Sequence, residues 1–234
     1  KRKMSNENGA LVQMVERLND ETPTIVIADR AYEAYNTMAH IERKGWKYLI
    51  RMREKGGILT PFSLPQDGEM DRWMKVVLTK KWNKQVIQLA KEYPGMYRFL
   101  NANAIFDFLD AHDKVNIFYP MTFRIVRFRL TEDSWETVIT NLDEEQFPPE
   151  ELKKLYHRRW GIETSFRQLK HTVGLKQLQS KKVEHVIQEI FARLVMYNFS
   201  ELIASHAIIQ NKTGKFTYQI NFSAAVHLCS QCLR

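Results

Sequence analysis

Tyr156, Arg159, Glu163 and Lys170 stand on one short stretch, with residue types and a spacing suited to phosphodiester chemistry. On a single helix turning about 100° per residue, with Glu163 at zero, Tyr156 falls near about +20°, Arg159 about −40°, Lys170 about −20° and Arg167 about +40°. One carboxylate then shares a face with three cations and a phenol. The carboxylate suits a divalent cation, the cations grip phosphate oxygens, and the phenol donates a hydrogen bond. Leu155, Ile162, Phe166, Leu169 and Val173 form an adjacent apolar stripe that suits packing on a sheet. From Glu151 to Lys182 nine Lys and Arg stand against Glu151 and Glu163, which puts most of the chain's excess charge of +8 here. A plainer reading also fits these residues: Arg159 and Glu163 as an exposed i,i+4 pair worth a few tenths of a kcal/mol, and Tyr156 as an edge aromatic.

Several elements must position this stripe. The periodicity predicts a helix from Glu150 to about Val173, entered through Pro148-Pro149 and closed by Gly174. A second helix is expected over about 183–205, with Val183, Ile187, Ile190, Phe191, Leu194, Val195, Phe199, Leu202 and Ile203 on a wide apolar face. Upstream, a helical spacing over 10–18 precedes the apolar run Thr24–Ala28, which reads as a strand buried on both faces, with Asp29 just past its carboxyl end. An Asp there is also a common turn or cap residue. A helix over 37–44, capped by Asn36 and ended by Gly45, leads to a strand over 46–52, so the unit predicts a parallel crossover. From about Gly56 the chain becomes loop-rich, then strand-rich over 73–79, 115–119, 123–130 and 135–141, while 83–113 is ambiguous between helix and strand. Arg127 and Arg129 alternate with apolar residues there, either as a phosphate-facing row or as a solvated face. The tail, 209–234, is polar and then helical from about Ser223.

Composition bounds the rest. A chain of 234 residues with 44% hydrophobic and 26% charged residues, 9 Gly and 7 Pro excludes collagen-like, low-complexity and wholly disordered classes. No apolar run reaches the roughly 18 residues of a membrane helix. Two Cys favour a reducing compartment, and pI 9.4 suits a polyanion partner. There is no Gly-rich phosphate loop, nucleophile elbow or HExxH. His227, Cys229 and Cys232 lack a fourth ligand for zinc, and the other histidines are scattered.

The Tyr156-x2-Arg159-x3-Glu163-x6-Lys170 pattern resembles the signature of bacterial insertion-sequence transposases with a DDE catalytic triad. The surrounding residues are similar too: Asp29-Arg30-Ala31-Tyr32 with Tyr35-Asn36, Gly45-Trp46, Thr140-Asn141-Leu142 and Arg159-Trp160-Gly161-Ile162-Glu163. Ala31 stands where glycine is common in that family. The likeness covers about residues 20–205. It implies an α/β, RNase H-like catalytic core in residues 1–55 and 149–208, interrupted by a β-rich insertion over 56–148, with a tail over 209–234. Asp29 then corresponds to the second aspartate and Glu163 to the glutamate, both catalytic and metal-binding.

The family's activity is cut-and-paste transposition, with Mg²⁺ (or Mn²⁺) as two ions, double-stranded DNA at transposon ends and target as substrate, and a homodimer in the DNA complex. The expected location is the bacterial cytoplasm, on the nucleoid, with no membrane. Tyr156, Arg159, Arg167, Lys170 and Trp160 are the expected DNA contacts. Trp160 is either a base-stacking platform or a packing residue, and Trp73, Trp82 and Trp135 are rivals for stacking. The family's first aspartate lies on an earlier strand. Nothing ahead of Thr24 reads as one, and Glu7, Glu16 and Asp20 stand in helical or loop context. The chain, which opens on Lys1 and a polar run without a signal peptide, is therefore expected to be a fragment. The alternative to the enzyme is a catalytically incomplete DNA-binding remnant or inhibitor.

Overall fold

A computed structural model describes residues 7–18, 22–53, 57–58, 68–110, 112–113, 115, 117–132, 134–207 and 220–232. They form two compact units, one ending at Arg159 and one beginning at Trp160.

The first unit is built on one six-stranded sheet of order β1-β2-β6-β5-β3-β4. β1 (Ile25–Ala28) pairs in parallel with β2 (Lys47–Arg51), Ile25 opposite Lys47 and Ala28 opposite Ile50, and α2 (Tyr35–Arg43) is the crossover between them. Gly45 takes the left-handed conformation (φ 76°) that ends α2, which a residue with a Cβ adopts only at a cost. β2 then pairs antiparallel with β6 (Ser134–Thr140), β6 with β5 (Tyr119–Thr131), and β5 with β3 (Met70–Thr79). Parallel pairing resumes between β3 and the three-residue β4 (Tyr97–Phe99). Residues 1–55 and the β-rich segment after them thus contribute to one sheet.

Alternation along the strands sorts side chains to two faces. On one, Tyr48, Ile50, Phe123, Ile125 and Ile139 pack with Val15 of α1 (Glu7–Arg17) and with Met38, Ala39 and Ile41 of α2. On the other, Leu49, Val126, Phe128 and Val138 pack with Leu142 and with Leu152 and Tyr156 of α4 (Pro149–His157). Leu152 is fully buried, worth about 2 kcal/mol of apolar transfer. Arg124 is also fully buried: its Nε and Nη2 donate to Asp71 at 2.6 and 2.5 Å, and its Nη1 donates to the Phe147 carbonyl at 2.7 Å, pinning the chain just before α4.

The second unit is helical. It contains α5 (Trp160–Arg167), a π-wound turn over Gln168–Thr172, α6 (Val183–His206) and α7 (Phe222–Cys232). Arg193 on α6 organises the segment after the π turn, donating to the carbonyls of Val173 (2.6 Å) and Gln177 (3.0 Å) and pairing with Glu189 (2.7 Å). Gly174 is left-handed (φ 77°), and a Cβ there would meet Arg193 Nη1 at 2.6 Å.

Five expectations change. The single helix over 150–173 is broken at Arg158-Arg159 and rewound as a π turn from Gln168, so one 100° wheel does not describe it. β1 is an edge strand among the described residues, mostly half-buried rather than covered on both faces. Asn36 lies inside α2, whose N-cap is Ala34; its side chain instead bonds Asp107, donating to Oδ2 at 2.8 Å and accepting from the Asp107 N–H at 2.9 Å. The described residues of 83–113 resolve into α3 (Lys84–Glu92), β4 and loop. Val115 is exposed and outside any strand, and β5 begins only at Tyr119. Asp20 lies outside the described residues.

Candidate active site

One face of the sheet changes from apolar to charged toward one end. β2 presents Leu49 and then Arg51 at its carboxyl end, while antiparallel β6 passes Glu136 before Val138, Val138 being opposite Arg51. The same end of the sheet is where β1 stops and Asp29 follows. There Asp29 caps a short 3₁₀ turn (Arg30–Tyr32), its Oδ1 accepting from the Arg30 N–H at 2.8 Å. This use of Oδ1 orients the carboxylate. Asp29, Arg30, Arg51, Arg53, Trp135 and Glu136 line a cleft of about 600 Å³.

Glu136 is almost fully buried, and Arg51 Nε lies 2.5 Å from its Oε1. Burial pushes the Glu136 carboxyl above its ordinary value; the Arg51 and Arg159 guanidiniums pull it back, and Asp29 adds a further upward push. Tyr156 reaches the same constellation from α4. Its hydroxyl is pushed up to about 12, chiefly by burial, with Glu136 and Asp29 reinforcing and Arg159 and Arg51 opposing. The phenol therefore stays protonated, as a donor, across the physiological range. Tyr156 is 3% exposed, yet its hydroxyl has no hydrogen-bond partner among the described residues. The Arg159 guanidinium lies 5.6 Å from the centre of the Tyr156 ring.

Three of the expected site residues, Asp29, Tyr156 and Arg159, thus meet in the first unit. Glu163, Trp160 and Arg167 lie on α5 and Lys170 on the π turn, all in the second unit. These four are exposed, with Lys170 Nζ 5.9 Å from the centre of the Phe166 ring. Trp160 is 53% exposed, against the packing role. Among the other tryptophans, Trp73 donates to Glu144 at 3.1 Å, and Trp82 meets Phe99 edge-on. Trp135 has the guanidiniums of Arg127 and Arg129 at 5.5 and 6.0 Å from its ring.

Sequence reasoning missed Arg51 and Glu136. Their signal was present: both occupy strand positions in phase with apolar residues of the covered face, Leu49 and Val138, where a charge is costly unless paired.

A sheet that delivers a carboxylate to a strand end beside arginines, with a buried phenol nearby, places groups suited to phosphate chemistry together. The chain matches the family described as Transposase DDE domain over residues 3–199 and belongs to it. The mixed α/β sheet is consistent with the RNase H-like core of such domains. Over 96 residues the chain is 41% identical to the Transposase InsG for insertion sequence element IS4 of Escherichia coli (strain K12). That alignment covers 39% of this chain and spans 20% of the relative's length. The family generally uses a divalent metal and acts on DNA. Among the described residues no helix is long and apolar enough to cross a membrane, and no three His, Cys, Asp or Glu side chains are grouped to hold a metal.

Proposed function

We propose that this chain supplies catalytic residues to a cut-and-paste transposase that cleaves DNA strands at transposon ends and joins them to target DNA. The observation that carries the reading is Asp29, oriented at the end of β1 within a cleft that also holds three arginines, with Tyr156 of the signature close enough to feel its charge. Asp29 and Glu163 would hold Mg²⁺ or Mn²⁺ as hard oxygen donors; the Asp29 carboxylate is half-buried and spends Oδ1 on the Arg30 N–H, which leaves Oδ2 for a cation. When bound, the two ions supply Lewis-acid activation of the attacking hydroxyl and neutralise charge at phosphorus.

The chain's own groups do the rest. The protonated Tyr156 hydroxyl donates to a phosphate oxygen, and a desolvated site makes that bond stronger than it would be in water. Arg159, Arg167 and Lys170 pair with the backbone of the transposon-end strand, and the exposed Trp160 stacks on an unpaired base. Two DNA ends must be held together for strand transfer, so the DNA-bound form is a homodimer.

The test is metal-dependent nicking of an end-bearing duplex by the transposase and its variants. Asp29→Asn and Glu163→Gln should each slow nicking by roughly three orders of magnitude, the several kcal/mol of a bound divalent ion. Duplex binding in EDTA should be retained. Nicking at the unaltered rate in either variant would remove that residue from the site.

A further inference from the structure

We propose that Glu136 is a positioning residue, whose buried carboxylate fixes the Arg51 guanidinium as a clamp for the DNA phosphate held beside Asp29. The inference rests on the reading of the cleft as a strand-cleavage site and adds a part that the signature does not contain.

Three observations carry it. First, Glu136 is 6% exposed, and a carboxylate so buried on a sheet face is costly unless it is paired. A role confined to stability is served as well by an apolar side chain, and replacing such ion pairs by well-packed apolar residues is often neutral or stabilising. A pair kept in a cleft wall instead fixes the orientation of its exposed member, here Arg51, whose side chain is 35% exposed. Second, the contact uses Arg51 Nε, on the shaft side of the guanidinium. The Nη1/Nη2 edge is a separate edge of the planar guanidinium, and its two parallel N–H groups are the fork that meets two oxygens of a phosphate. Third, Glu136 Oε1 in this wall and the hydroxyl of Tyr156, which feels the Glu136 and Asp29 charges, are both buried without an aligned hydrogen bond among the described residues. Glu136 Oε1 is held to Arg51 by charge at 2.5 Å without hydrogen-bond alignment. An incoming phosphate gives Tyr156 an acceptor and draws Arg51 into line between two anions.

The experiment compares single-turnover nicking, duplex affinity and melting temperature for the transposase with Glu136→Gln, Glu136→Asp, Arg51→Gln and the Glu136→Gln/Arg51→Gln pair. Glu136→Gln should slow the nicking step about 10- to 100-fold, the usual effect of losing a group that orients a contact residue. It should leave duplex affinity within about threefold, since Arg51 keeps its charge. The double variant should be no slower than Arg51→Gln alone, because both changes remove one clamp. Glu136→Asp keeps the charge but withdraws it by one methylene; it should fold and nick at an intermediate rate, and it carries the test if Glu136→Gln fails to fold. A wild-type nicking rate in both Glu136 variants overturns the proposal, and so do multiplicative effects of Glu136→Gln and Arg51→Gln. Asp29→Asn run in parallel separates the two failures. If Asp29→Asn is inactive while the Glu136 variants are normal, only the clamp is wrong; if Asp29→Asn nicks normally, the cleft is not the cleavage site.

Discussion

The two units hold their signature residues by different means. In the sheet-based unit each group is set by partners far away in sequence: Tyr156 by its seat against β2, β5 and β6, and Arg51 by Glu136 on a neighbouring strand. In the helical unit Glu163, Arg167 and Lys170 are exposed, and Lys170 meets a ring four residues back on its own segment, that of Phe166. The chemistry at the strand end is thus preorganised by the core, at the cost of burying charge and an unbonded hydroxyl. The helical groups carry little such cost and little such constraint. Substitutions should therefore couple stability to DNA chemistry in the first unit and leave them separable in the second.

The largest expected effect tests the core that supports Tyr156. Asp71→Ala leaves the fully buried Arg124 without its carboxylate and should cost about 3 kcal/mol in urea denaturation. A cost below about 1 kcal/mol would mean that this pair does not anchor the approach to α4. Next, Tyr156→Phe removes a buried hydroxyl that has no hydrogen-bond partner among the described residues, so unfolding free energy should stay level or rise slightly. Affinity for an end-bearing duplex should meanwhile fall by about 1 kcal/mol, a factor of five to ten in anisotropy titrations. Loss of stability without loss of affinity would reverse the comparison for this residue. The smallest effect belongs to the helical unit: Lys170→Ala should change stability by less than about 0.5 kcal/mol and lower the salt slope of duplex binding by about one. A loss confined to end-bearing duplexes would assign Lys170 to end recognition; an equal loss on every duplex would reduce it to a general phosphate contact.

Much of this was legible in residue order. Thr24–Ala28, Gly45 and the run after Trp46 give β1, α2 and β2 because turn chemistry and apolar patterning agree at each boundary. The signature singled out Tyr156 and Arg159, and Asp29 was singled out by the resemblance, since an Asp at a strand end is by itself more often a turn or cap residue. The break at Arg158-Arg159 was not legible, since no Pro or Gly marks it and the apolar period runs on through it. Nor was the pairing of Arg51 with Glu136, which depends on β2 lying next to β6, a sheet order that crosses more than eighty residues of chain. Asn36 misled because its type favours capping, whereas tertiary contact with Asp107 drew it inside the helix.

β1 has a neighbour on one side only among the described residues. Its outer row of amide and carbonyl groups offers a ready ladder to one more strand, which would join without rearranging the sheet. Because Asp29 follows that row directly, such a strand would lie alongside the segment that aims the carboxylate. Any chain that completes this flank can therefore tune the acid it borders, whereas the opposite flank, ended by the three residues of β4, gives a newcomer little to hold.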